Sequence, residues 1–306
     1  MPFYITFMFP KFSKKKIKLI HKVRFIKMTK KSHNKHSSLR IPQFILITSK
    51  ICSLISSKLT TKFAAILFTT PIKYKIPRRE IEMEQKSIQK NIFVPTINKE
   101  IVIYQYGNSA KKVLLVHGWS GRGTQLFKIA DELLLNGYST ISFDAPAHGK
   151  SKGKTAIMMD FINSILEIEK QYGPFEIAIG HSLGGMSVLN SIKKGLNVKK
   201  SIVIASGDIV QDILNDFIFK LKLKPHYSQY LRKYFENKYQ VKMNDFSAYK
   251  AAEEIKIPVL VIHDKDDHDV PSKAGIHIHE HLEKGHLVLT EDLGHRKILG
   301  DKNVRS

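Results

Sequence analysis

The 306-residue sequence predicts an α/β protein built on a mostly parallel central sheet, and three observations carry that expectation. First, short strand-like runs, most of them apolar, recur at residues 113–117, 138–143, 175–179, 202–205, 257–263 and 287–289. Apolar runs of this kind are what strands buried on both faces look like. Second, Gly180-His181-Ser182-Leu183-Gly184 joins the run at 175–179 directly to a helix-like stretch at 185–189. This G-x-S-x-G pattern reads as a sharp strand-to-helix turn with a serine at its corner. Third, the run at 257–263 opens into the polar loop 264–271. In open α/β sheets the carboxyl ends of strands are where ligand-facing residues sit.

In chain order, residues 1–40 read as a basic, disordered arm. Residues 1–90 hold 21 Lys+Arg against 3 Glu, whereas 91–306 hold 29 against 24, so most of the net +23 lies in the N-terminal part. The first ten residues are apolar and Lys14-Lys15-Lys16 follows, the reverse of a signal peptide. Met28 is an alternative start. A basic arm suits anionic lipid or nucleic acid, but no nucleic-acid motif or pattern of stacking aromatics appears, so no specific nucleic acid is expected.

Residues 41–90 read as an apolar and basic helical extension with a linker. Within 41–70, Lys50, Lys58 and Lys62 interrupt the apolar residues, and no uncharged run reaches the ~18–20 residues of a membrane span. Ile45, Ile47, Ile51, Leu54, Ile55, Leu59, Phe63, Ile66 and Leu67 fit a helical stripe. Such a stripe packs on the following domain or lies on a membrane surface, and peripheral membrane contact through 41–70 stays open. Pro71 and Pro77 mark the linker. The main domain is expected over 91–306. Within it, about 209–254 lacks strand-like alternation, and 209–223 and 227–239 read as helices.

Cys52 is the only cysteine, which excludes an intramolecular disulfide. His277, His279, His281 and His286 are clustered, and His277 and His281 would share a helix face. Structural zinc wants four ligands, so no metal is expected.

From about Ile101 onward the chain resembles the α/β-hydrolase superfamily of serine esterases, lipases and related acyl hydrolases. Four segments carry the resemblance: His117-Gly118-Trp119, Asp144-Ala145-Pro146-Ala147-His148-Gly149-Lys150-Ser151, the turn at Gly180–Gly184, and His263 through Pro271. It implies an α/β-hydrolase fold, with helices on both faces of the sheet and a small helical cap at about 209–254. It also implies the order nucleophile, acid, histidine along the chain. Ser182 takes the first place, and His295, in the loop after the last strand-like run, takes the third. The family writes the acid loop H-G-x-x-D-x-x-V-P, which maps the acid to Asp267 and puts Asp264 where the family has glycine. Asp266 and Asp269 in the same loop, and Asp208 one strand earlier, remain alternatives. The backbone N–H of Leu183 is the expected first donor to an oxyanion. By resemblance the N–H of Trp119 is the second, with Gly118 permitting close approach. Gly180 and Gly184 are the glycines of the turn. Asp144, His148 and Ser151 are read as shaping their loop, and His117 as bracing the loop that follows it.

The function expected is a serine hydrolase acting on a small-molecule carboxylic ester or thioester through an acyl-enzyme on Ser182, with no cofactor. The cytoplasm is the expected compartment, with membrane association open. The alternative is a catalytically weak or inactive binding protein on the same fold. Only eleven residues follow His295, where the family usually adds a full helix. The expectation is therefore exposed apolar sheet surface and reduced stability.

Overall fold

Nine strands pair into one sheet in the computed structural model, which describes residues 23–25 and 41–305. The chain begins with β1 (Val23–Phe25), α1 (Gln43–Ile55), α2 (Ser57–Thr69) and α3 (Ile81–Lys86). Three strands follow, β2 (Ile88–Val94), β3 (Lys99–Tyr106) and β4 (Lys112–Val116). Helices and strands then alternate as α4 (Phe127–Leu135), β5 (Ser139–Asp144), α5 (Met158–Tyr172), β6 (Phe175–His181), α6 (Leu183–Lys193) and β7 (Val198–Ile204). The insertion α7 (Val210–Lys220), α8 (His226–Tyr239) and α9 (Ala248–Ala252) leads to β8 (Val259–Asp264), α10 (Lys273–Glu280) and β9 (Gly285–Thr290). Two short helices end the chain, α11 (Gly294–Lys297) and α12 (Lys302–Arg305).

The strand order is β1-β9-β8-β7-β6-β4-β5-β3-β2. All pairings from β5 across to β1 are parallel, while β3 runs antiparallel to both β5 and β2. β5 and β8 are buried at every position, the polar Ser139, Thr140, Ser142 and Asp144 of β5 included. Side chains alternate between the two faces. Val113 and Leu115 pack with Ile129 and Leu133 of α4, and Leu114 and Val116 with Phe161 and Ile165 of α5. Asp160 at the start of α5 accepts the Ile157 N–H at 2.9 Å and fixes where that helix begins. The order reverses at β4, which lies between β5 and β6. A reversal of this kind opens a crevice at the carboxyl ends of the strands.

Three expectations change. Val23–Phe25, inside the arm expected to be disordered, pairs with Leu287–Leu289 of β9; the rest of 1–40 lies outside the described residues. The helical stripe of 41–70 breaks at Ser56, whose extended backbone (φ −161°) ends α1 and whose hydroxyl caps α2 by accepting the Leu59 N–H. With this break, the contact with the rest of the molecule is shared between small residues and the larger Ile45, Leu67 and Phe68. Ser49, Cys52, Thr60, Ala64 and Ala65 are buried, whereas Ile47, Ile51, Leu54, Ile55, Leu59 and Ile66 face outward. Finally, the expected bare sheet surface near the C-terminus is covered. Ile298, Leu299 and Val304 pack with Leu260, Ile262 and Val288, all of them buried. Two turns of helix suffice there because these three side chains point inward together.

Candidate active site

Four loops meet at the carboxyl ends of β4, β6, β8 and β9. The β6 loop is the tightest. Ser182 sits at φ 55° and ψ −121°, a strained conformation for a residue with a Cβ. The turn forces close approach on either side. A Cβ on Gly180 would run into the Gly184 carbonyl, and one on Gly184 into the carbonyls of Val116 and His117. Glycine is therefore required at both positions for space rather than for a positive φ.

Ser182 Oγ lies 3.0 Å from His295 Nε2, and His295 Nδ1 lies 2.7 Å from Asp267 Oδ2. Asp267 Oδ1 accepts the N–H groups of Asp269 and Val270. Its other oxygen is 3.4 Å from His263 Nε2, which faces the Val270 carbonyl at 2.9 Å. Burial pushes the Asp267 carboxyl up. Hydrogen bonds from His263 and His295, the His295 charge and the Val270 N–H outweigh it and hold the group well below the carboxylate range. Asp267 is thus an anion aimed at the imidazole.

The alternative acids have other partners. Asp208 accepts from His277 Nδ1 and from the Tyr249 N–H, and Asp266 accepts the Asp292 N–H. His277 and His281 do meet edge to face, with ring centroids 4.4 Å apart, but His277 faces Asp208 while His281 faces the His277 carbonyl and Glu253.

Two residues that build the site were given no role in it by the sequence. Asp264, where the resemblance expects glycine, is fully buried, and its carboxylate ties two loops together. Oδ1 accepts the N–H groups of Asp266 and Gly294, and Oδ2 accepts the Thr290 hydroxyl and the Leu293 N–H. It therefore sets the loop of Asp267 against the loop of His295. The departure from the motif's glycine was the available signal. The second is His181, whose Nε2 donates to the His295 carbonyl at 2.8 Å. Burial lowers the His181 pKa to about 3, so the ring stays neutral and keeps a single N–H for that bond.

The expected oxyanion donors also lie in the cleft. The N–H groups of Leu183 and Trp119 engage no acceptor among the described residues. Leu183 is the first residue of α6, where the helix dipole favours negative charge. A Cβ on Gly118 would lie 3.0 Å from the Ser182 Cβ, so glycine lets the Trp119 loop close on the serine. His117 braces this loop by accepting the Ala145 N–H at its Nε2. Asp144 organises the surrounding turns, accepting from Gly123 N–H, Lys150 N–H and the Tyr104 hydroxyl. The N-terminal extension reaches the same loop. Glu80 is buried against Arg122 at 3.1 Å and Thr124 at 2.8 Å, and the Ile72 N–H donates to the Ser120 hydroxyl.

Two cavities meet at Ser182. One, of about 1050 Å³, is mainly apolar and passes Leu183, Met186, Ile213 and Phe217 to end against Ile45 and Phe68 of the α1–α2 hairpin. The other, of about 870 Å³, is lined by Tyr74, Arg79, Lys128 and Arg296.

The architecture recurs in solved structures. A bromoperoxidase from Bacillus anthracis superposes with a TM-score of 0.56 at 18% identity, covering 71% of this chain and 97% of its own. An esterase from Exiguobacterium antarcticum gives 0.56 at 19% identity, covering 70% and 94%. An esterase from Pyrococcus furiosus gives 0.56 at 17%, covering 76% and 91%. These likenesses establish the fold. No curated protein sequence matches the chain. Residues 113–300, more than half of the chain, match the profile of the alpha/beta hydrolase family, and the chain belongs to that family.

Proposed function

We propose that this protein is a serine hydrolase that cleaves a carboxylic ester or thioester through an acyl-enzyme on Ser182. The observation that carries this is the continuous chain Ser182 Oγ, His295 and Asp267, with separations of 3.0 and 2.7 Å, at the junction of the two cavities. With Nδ1–H donated to the anionic Asp267, His295 Nε2 is left to accept the serine proton. Ser182 Oγ attacks the carbonyl carbon, and the oxygen gains negative charge facing the Leu183 and Trp119 N–H groups. Such preorganised donors typically contribute ~3 kcal/mol each to the transition state. His295 then returns its proton to the leaving alcohol or thiol. Water, deprotonated by the same imidazole, attacks the acyl-enzyme and frees the acid and Ser182. The apolar cavity suits the acyl chain. Esterases are among the structural neighbours, which is consistent with this reading.

The test is labelling with a fluorophosphonate, wild type beside Ser182→Ala. Labelling of the wild type alone is the expected result. A folded wild-type protein that takes no label would overturn the reading and leave a binding protein on a hydrolase fold.

A further inference from the structure

We propose that the α1–α2 hairpin docks this chain, by its outward apolar face, on an anionic lipid surface. The claim goes beyond the hydrolase reading and does not depend on it.

The hairpin has two faces. Its inner face carries the small buried residues named above and closes the far end of the apolar cavity through Ile45 and Phe68. Its outer face is a run of large apolar side chains. Phe44, Ile47, Ile51, Leu54 and Ile55 of α1 are all more than half exposed. They fall at spacings of three, four, three and one, which is one side of a helix. Leu59 and Ile66 of α2, seven apart, are exposed as well. Single exposed apolar residues are ordinary, but a contiguous set of this size on two adjoining helices marks an interaction surface.

Charge identifies the occupant. The first 79 residues contain 19 Lys+Arg and no Asp or Glu. Lys50 stands in the apolar stripe between Ile47 and Leu54, and Lys58 and Lys62 flank Leu59; all three are exposed. Long basic side chains among apolar ones suit a headgroup boundary, where the stem lies in the acyl region and the ammonium reaches a phosphate. The two occupants this chain could itself provide are disfavoured. A second copy would bring two such basic segments face to face. Residues 1–40 would add 12 further cations beside Lys50, Lys58 and Lys62. An anionic bilayer instead neutralises both the hairpin and the arm. No helix among the described residues is long and apolar enough to cross a membrane, so the hairpin lies on the surface rather than spanning it.

The test is co-sedimentation of the full chain with phosphatidylcholine vesicles, with and without phosphatidylglycerol. The expected result is sedimentation with the anionic vesicles only, weakened by salt. Ile47→Asp with Leu54→Asp replaces two outward side chains (57% and 79% exposed) and is expected to lower partitioning at least ~10-fold. Unchanged far-UV circular dichroism and cooperative thermal unfolding would show that this variant is folded. Lys58→Glu with Lys62→Glu gives a second route to the same loss. Ser182→Ala is expected to sediment like the wild type, which separates failure of this proposal from failure of the hydrolase reading. Absence of wild-type sedimentation, or sedimentation of both double variants like the wild type, would overturn the proposal. So would a dimer in light scattering that Ile47→Asp with Leu54→Asp splits, which would assign the face to a second copy.

Discussion

The sheet with its four loops and the first ninety residues are both rich in apolar side chains, yet they use them in opposite ways. In the sheet, nearly every apolar residue is buried between strand and helix, and charge is balanced, with 29 Lys+Arg against 24 Asp+Glu over 91–306. In the extension, many large apolar side chains face out and charge has one sign as far as Glu80. The difference teaches where each region's work lies. The sheet spends its burial on holding four loop ends in register. The hairpin attaches through small residues together with Ile45, Leu67 and Phe68, and leaves a second set of large side chains for a surface. The two regions touch the same chemistry at one seam, where Glu80 meets Arg122 and the hairpin closes the apolar cavity.

The largest effect is expected inside the sheet region. Asp267→Asn keeps the shape but removes the anion that orients His295, and kcat is expected to fall by about 10⁴-fold in a steady-state ester assay. Vesicle binding should be untouched. Asp264→Asn comes next. It removes one acceptor oxygen from a buried group serving four donors, so a loss of about 2–4 kcal/mol is expected in denaturant unfolding. A lower kcat should accompany it, because the Asp267 and His295 loops lose their common tie. If stability falls while kcat holds, Asp264 supports the fold without setting the site.

The seam sharpens the comparison. Glu80→Gln leaves Arg122 buried without its counter-charge, which typically costs about 3–5 kcal/mol. Since Arg122 lies on the loop after Trp119, kcat should fall as well. An unaltered kcat would mean that the extension is attached to the site region without shaping it.

A pH dependence completes the comparison. Burial lowers the His148 and His181 pKa values to about 4 and about 3, from 6.5 in the open chain. Below 6.5 the unfolded chain therefore takes up protons that the native state refuses. The stability these neutral rings contribute is complete above 6.5 and is lost as pH falls toward the folded values. Thermal unfolding should show a lower Tm at pH 4.5 than at pH 7, the two conditions of about equal ionic strength. His148→Gln should flatten part of that slope, and an identical slope in this variant would remove His148 from the account.

Much of this architecture was legible in residues. The parallel strands follow from short, mostly apolar runs set between helix-like stretches. Ser182, Asp267 and His295, which the structure brings into one hydrogen-bonded chain, follow from the resemblance of their loops to the family's motifs, which left Asp266, Asp269 and Asp208 open as the acid. What escaped depends on contacts between distant segments. Asp264 looked like one of several loop carboxylates, and only the fold shows that Gly294 and Leu293 come to it from the next strand. His181 read as the variable position of a motif. The outward face of the hairpin depends on the break at Ser56, which composition does not reveal, and the covered C-terminal surface depends on three side chains converging from two short helices.

The central claim is that Ser182 becomes acylated during turnover. The direct measurement is peptide mass spectrometry of protein quenched in acid during hydrolysis of an activated acyl ester. The account predicts an added acyl mass on the peptide that contains Ser182 and its absence in Ser182→Ala. A protein that turns the ester over with the acyl group on another residue would contradict it.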